Sequence, residues 1–206
     1  RGTPVYGILK ISDKKYDEKI TPAVKNNTTV NTDKESVKES SKDEGRIFKK
    51  TTVVYNGKAQ KPQIQEVKVG GNKISSKYYS ISYKSNKNIG TGYAVIEGKG
   101  KYKSYSCTVK FKIIPKATTI TKITVAKRAA KVKWKRVSGA DGYQIQCSAG
   151  KNFKNAKTKT VKNITALKMS KLSGKRTYYV RIRSWKKVGK NVYYSGWSKV
   201  KKVKIK

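Results

Sequence analysis

Histidine is absent from this 206-residue chain, and acidic residues, cysteine and proline are scarce at eleven, two and four. Without histidine there is no Ser–His or Cys–His nucleophile pair and no imidazole metal ligand. Two separated cysteines cannot build a structural zinc site. Paired carboxylates could still serve glycoside cleavage, but beyond residue 45 the acids are only Glu66, Glu97 and Asp141. Each has a simpler reading: Asp141 sits in a Gly-Ala-Asp-Gly turn, and Glu66 and Glu97 lie in strand-like runs beside abundant lysine. Calcium, which takes six to eight oxygen ligands, is as poorly served. The sequence therefore describes a protein that is not an enzyme and takes no cofactor or metal. No apolar run reaches the 18 residues of a membrane span. The opening RGTPVYG is not a charged-then-apolar secretory leader, as expected of a mature or trimmed chain.

What is abundant is positive charge, with 51 Lys and Arg and a formal net charge of +40. Residues 1–45 hold nine of these bases and eight acids, so nearly all the excess lies on the remainder. Such a surface attracts polyanions of any kind: nucleic acid, teichoic acids, sulfated or sialylated glycans, anionic lipid. Only seven of the bases are Arg. Readout of bases and phosphates favours the planar Arg fork, so a lysine-dominated surface points to generic solvation, or to an AT-rich coding bias, rather than readout.

Fourteen Tyr, together with many Val, Ile and Thr, favour strands over helices. Residues 1–45 read as a polar linker, because the stretch from Ser12 to Gly45 is too poor in large apolar groups to offset its conformational entropy. Within it VYGILKI (5–11) is apolar enough for a short strand, the tail of an earlier module or an edge paired onto the next. From 46 to 116 short alternating runs are broken by turn signals: Asn56-Gly57 for a tight hairpin, Gly70-Gly71-Asn72, and SNKNIGTG at 85–92. Alternation places Tyr79, Ile81 and Tyr83 on one face, and Cys107, Val109, Phe111 and Ile113 on another. Cys147 alternates with Tyr143 and Ile145, so the two cysteines are expected to be separate buried thiols. Lysine alternates with apolar residues at period two in KVKWKRV (131–137), TVKFKII (108–114) and VKIK (203–206). Lys131, Lys133 and Lys135 are thus the solvated side of a strand whose Val132 and Trp134 face a core. This is the pattern of a sheet rather than of a nucleic-acid-binding arm.

The succession YNGKAQKP, YYSISYKSNKNIGTG, GKGKY and FKIIPK resembles a small bacterial immunoglobulin-like module of Gram-positive surface proteins. Residues 117–206 resemble a fibronectin type III domain. VKW would be its second strand with core Trp134, GADGYQIQ its turn and third strand with Tyr143, and LSGKRTYYVRIR its run placing Leu172, Thr177, Tyr178, Val180 and Ile182. The resemblance makes Tyr178 a corner tyrosine whose hydroxyl bonds nearby backbone. Ser173 stands where the family often has Pro, which implies a less rigid turn. The fold class implied is all-β, with two tandem β-sandwiches (46–116, Ig-like; 117–206, fibronectin type III-like) after the polar linker. Some bacterial surface sandwiches form an intramolecular Lys–Asn or Lys–Asp bond, which needs a buried acid beside the pair. Glu97 is the nominal acid here, a surface Glu facing lysine its plainer reading.

In TYYVRIRSW alternation turns Tyr179, Arg181, Arg183 and Trp185 away from the core. The following YYSGWS is similar to the Trp-Ser-any-Trp-Ser motif of cytokine-receptor fibronectin domains, with Tyr194 in place of the first Trp and Trp197 as the second. Two readings are open for Tyr179, Arg181, Arg183, Trp185, Tyr194 and Trp197. One is a cation–π ladder covering the sheet; the other is an aromatic platform for sugar rings or a partner protein. The resemblance implies a non-catalytic extracellular spacer or adhesion segment, cell-surface or secreted, with a Lys-rich face able to contact anionic cell-wall polymer, host glycan or surface protein. The alternatives are a carbohydrate- or protein-binding module using the aromatic face near Trp185, and a nucleic-acid binder. A monomer is expected.

Overall fold

The computed structural model describes residues 5–8, 10–11, 52–69 and 72–206. The linker expected between 12 and 45, the first residues of the expected Ig-like domain (46–51) and the glycines at 70 and 71 lie outside them. The chain falls into two compact units. One holds Pro62–Ser82 and Val95–Val109 with the described part of 1–50, the other Thr51–Lys61, Tyr83–Ala94 and Lys110–Lys206.

The architecture is all-β, in two tandem sandwich-like domains. In chain order, the strands before residue 116 are β1 (Val5–Ile8), β2 (Lys10–Ile11), β3 (Thr52–Val54), β4 (Ile64–Val69), β5 (Asn72–Ile74), β6 (Tyr79–Lys84), β7 (Gly90–Gly98) and β8 (Tyr105–Ile114). One sheet runs β1-β4-β5; the other runs β2-β8-β7-β6 with β3 also on β8. β1 pairs parallel with β4, and β2 antiparallel with β8. Alternation in β7 buries Gly92, Ala94 and Ile96, and in β8 it buries Val109, Phe111 and Ile113 while Lys110 and Lys112 face solvent. Gly92 is obligatory there, because a Cβ would lie 2.5 Å from the Phe111 ring.

Two expectations change here. β4 and β5 are the hairpin expected around residues 70–72, with Val69 opposite Asn72. Asn56-Gly57, however, is not a hairpin: β3 pairs parallel with β8, and Tyr55 N–H makes a last bond to the Ile114 carbonyl at 2.9 Å before the turn. Asn56 Oδ1 accepts the Lys58 N–H at 2.9 Å, a local turn that closes without a partner strand, and Gly57 takes φ 81°. The second change concerns Cys107, which is half-exposed, whereas Cys147 is buried. The inward side of β8 is only half covered at Tyr105 and Cys107 and closes from Val109 onward. No disulfide joins the two thiols.

The second sandwich comprises β9 (Ile120–Ala126), β10 (Ala129–Trp134), β11 (Gly142–Ser148), β12 (Lys157–Lys162), β13 (Ala166–Met169), β14 (Thr177–Val188), β15 (Asn191–Tyr194) and β16 (Lys201–Lys204). Its sheets are β13-β10-β9 and β12-β11-β14-β15, and the long β14 also pairs with β16. β15 and β16 share one edge of β14, β15 along Trp185–Val188 and β16 along Thr177–Val180. Between the sheets lies one core containing Val132, Trp134, Tyr143, Ile145, Cys147, Leu172, Tyr178, Val180, Ile182 and Ile205. Each aliphatic side chain buried in it contributes about 1.5–3 kcal/mol relative to exposure. Trp134 meets Tyr143 edge to face at 5.4 Å. The Tyr143 hydroxyl accepts the Val137 N–H at 2.8 Å, and the Tyr178 hydroxyl accepts that of Ser173 at 3.0 Å. Two ring bodies thus enter the core while their polar tips satisfy turn backbone at its rim.

Candidate functional site

β11 and β14 lie side by side, with Gly142, Gln144 and Gln146 opposite Trp185, Arg183 and Arg181. Because Tyr143, Ile145, Val180 and Ile182 fill the core, strand alternation turns these opposing pairs outward. The segment after β15 continues along the edge of β14, its Ser195 and Ser198 N–H groups donating to the Ser184 and Ile182 carbonyls, and the two serine side chains fasten it further. Ser195 Oγ accepts the Ser184 N–H at 3.0 Å, and Ser198 Oγ accepts the Ile182 N–H at 3.1 Å. Trp197, between them, is thereby laid across the arginines.

The result is a continuous stack. The Arg181 guanidinium carbon lies 3.9 Å from the Phe153 ring centre and 4.4 Å from that of Trp197. Arg183 lies 4.4 Å from Trp197 and 3.9 Å from Tyr194. The order is therefore Phe153, Arg181, Trp197, Arg183, Tyr194, with each guanidinium between two rings. The edges are satisfied as well: Arg181 Nε donates to Gln146 Oε1 at 2.8 Å, and Arg183 donates Nε and Nη2 to Gln144 Oε1 at 2.9 and 2.6 Å. The glutamine amides in turn donate to Thr158 and Thr160 of β12. Partial burial pulls both guanidinium pKa values down. At Arg183 the Tyr194 hydroxyl pulls the other way and Arg181 adds to the lowering. Both arginines stay charged, because a guanidinium starts from far above neutrality.

Of the six residues of the expected face, Arg181, Arg183, Tyr194 and Trp197 come together in the stack. Tyr179 is half-buried on β14, opposite Ser148 and Lys202. Trp185 keeps the outward register but is only 8 % exposed, and it stands apart from the stack. It lies against Gly142, where a Cβ would come within 2.8 Å of its ring, so the missing side chain makes its berth. Phe153 and the two glutamines belong to the site without having been singled out. The glutamines were findable, since alternation on β11 places them beside Arg. Phe153 was not: it comes from the β11–β12 loop, in a left-handed conformation at φ 59° that a bulky residue rarely adopts.

Asp141 and Glu66 take the simple roles read for them. Asp141 accepts from Lys186 Nζ at 3.0 Å and from the Lys187 N–H at 2.9 Å. The backbone hydrogen bond from Lys187, with Lys186 beside it, holds the Asp141 carboxyl below its ordinary value. Glu66 pairs with Lys68 at 2.7 Å, and Glu97 is exposed. Among the described residues no three of His, Cys, Asp and Glu gather as metal ligands would.

No family model matches the chain, and no curated protein matches it. Among solved structures, the crystal structure of chicken CNTN1 FN1-FN3 domains matches with a TM-score of 0.40 and 17 % identity, over 58 % of this chain and 44 % of that one. The crystal structure of beta-1,2-glucanase from Parabacteroides distasonis matches with a TM-score of 0.37 and 12 % identity, over 55 % of this chain and 17 % of that one. The chain thus spans less than half the length of either, and likeness at this level carries no argument about activity or partner.

Proposed function

We propose that this chain is a non-catalytic, extracellular spacer and adhesion segment of a bacterial surface or secreted protein, whose lysine-rich outer faces contact anionic polymers. The Ig-like module at 46–116 and the fibronectin type III-like domain at 117–206 would hold those faces rigidly, and the surface location rests on the sequence resemblance alone. One observation carries the reading. Lysines of the strands stand exposed between buried neighbours, as Lys110 and Lys112 do around Phe111 and Lys131 and Lys133 around Val132, with almost no acid to neutralise them. Charge held this way attracts polyanions through a low-specificity, salt-screened field.

The aromatic-platform reading fits less well. Both faces of Trp197 carry arginines, one face each of Phe153 and Tyr194 is occupied, and Trp185 is buried. Nucleic-acid recognition is also poorly served, because two of the seven arginines, Arg181 and Arg183, are already committed to rings and glutamines. A glycan array probed at two ionic strengths tests the proposal. Binding to anionic glycans and wall polymers that high salt abolishes supports it; salt-insensitive binding to a neutral sugar overturns it.

A further inference from the structure

The outer side of the three-stranded sheet of the second sandwich carries a lysine grid with no counter-charge. Lys131 on β10 lies directly opposite Lys168 on β13, and Lys133 on β10 directly opposite Lys122 on β9. All four are exposed, and the remaining members of these two cross-strand rows are Thr124 and Ala166. Like charges placed directly opposite destabilise a sheet. Here two such pairs share one face, at spacings of about 5 Å between strands and about 7 Å along them. Among the described residues none of the four forms an ion pair; the acid of this sandwich, Asp141, is held by Lys186. Edge protection, the usual reason for outward lysine on a sheet, accounts for Lys122 and Lys168 on the edge strands β9 and β13 but not for Lys131 and Lys133. β10 is the central strand of β13-β10-β9, with no free edge to guard.

The face also specifies what it can hold. Its two rows contain no ring and no arginine, so nothing on them stacks a base or a sugar, and nothing presents a fork to a planar carboxylate. An ammonium group is a point charge with rotatable donors, suited to the oxygens of successive phosphates. We propose that this face, centred on Lys122, Lys131, Lys133 and Lys168, docks a linear phosphodiester polymer whose repeat contains no ring. The proposal rests on the polyanion-contact reading above and narrows it to one face and one chemistry. The bound phosphates would relieve the repulsion that the sheet otherwise bears.

The test is fluorescence anisotropy with an end-labelled poly(glycerol phosphate) oligomer, using the full chain and two variants of equal charge. One is Lys122→Thr/Lys131→Thr/Lys133→Thr/Lys168→Thr; the other, at four exposed lysines outside the strands, is Lys151→Thr/Lys154→Thr/Lys190→Thr/Lys199→Thr. Threonine keeps strand propensity, and the grid variant should melt higher than the parent because like-charge pairs are removed. The grid variant is expected to bind about tenfold or more weaker, with the slope of log K against log salt flattened by about 0.7 for each phosphate it no longer neutralises. The control variant should stay within about threefold of the parent. Equal losses in both variants would overturn the docking face while leaving diffuse polyanion attraction standing. No binding by the parent at low salt would overturn both. A single-stranded oligonucleotide of equal charge binding the grid more tightly than the polymer would assign the face to nucleic acid and overturn the phosphodiester proposal.

Discussion

The hydroxyl of Tyr178, at the rim of the second core, accepts the backbone N–H of Ser173 at 3.0 Å. It ties the start of β14 to the turn five residues earlier, next to fully buried Leu172. Tyr178→Phe keeps the ring and removes that hydrogen bond at an exposed turn, so we expect a loss of about 0.5–1.5 kcal/mol in denaturant unfolding with the native fold retained. An unchanged midpoint would mean that the corner contributes nothing.

The arginine stack is a second stabilising device, and it can be separated from net charge. Arg183→Lys keeps the charge but loses the planar stacking on Trp197 and Tyr194 and the paired donors to Gln144. The expected cost is about 1–2 kcal/mol of stability, with polyanion affinity unaltered. A fall in affinity without a fall in stability would make the stack a binding site instead.

Stability should also respond to acid through Asp141. Its carboxyl is held below the ordinary 3.8 in the folded chain, so the contribution is complete above that value and is lost as pH falls through the lower, folded value. Asp141→Asn should flatten this part of the profile below about pH 4 and leave neutral-pH stability lower than that of the parent. Urea melts between pH 2 and 7 would show it.

The two thiols should differ in reactivity. Burial pushes the Cys147 thiol up to about 11, with Lys157 pulling weakly the other way, whereas Cys107 is half-exposed. Iodoacetamide at pH 8 is expected to modify Cys107 in the native protein, and Cys147 only after unfolding. Peptide mass mapping before and after denaturation reads this directly.

Much of the second sandwich is legible from alternation. Val132 and Trp134 inward with Lys131 and Lys133 outward, Tyr143 beside Trp134, and Tyr178 bonded to turn backbone all follow from period-two patterning and from the resemblance in LSGKRTYYVRIR. What escapes it is contributed by residues remote in sequence. Phe153 joins the stack from a loop through a left-handed backbone, and Trp185 is buried because its cross-strand partner is glycine. Asn56-Gly57 has the dipeptide of a hairpin, but the parallel pairing of β3 with β8 determines where the chain goes next. The lysine grid needed register as well. Alternation turns Lys131 outward, but only strand pairing places Lys168 opposite it.

That opposition carries a further consequence. Lys131→Glu should pair with Lys168 and raise the thermal midpoint by about 1–3 °C, where an isolated surface lysine would give no systematic gain. The same change should weaken binding to phosphodiester polymer, so that stability and affinity move in opposite directions.

The most direct measurement is an amide-resolved NMR titration of the full chain with poly(glycerol phosphate) at low salt. Shift changes are expected to concentrate on β9, β10 and β13 around Lys122, Lys131, Lys133 and Lys168, and to vanish as salt is raised. Changes centred on Arg181, Arg183 and Trp197, or spread evenly over every lysine-bearing strand, would contradict the account.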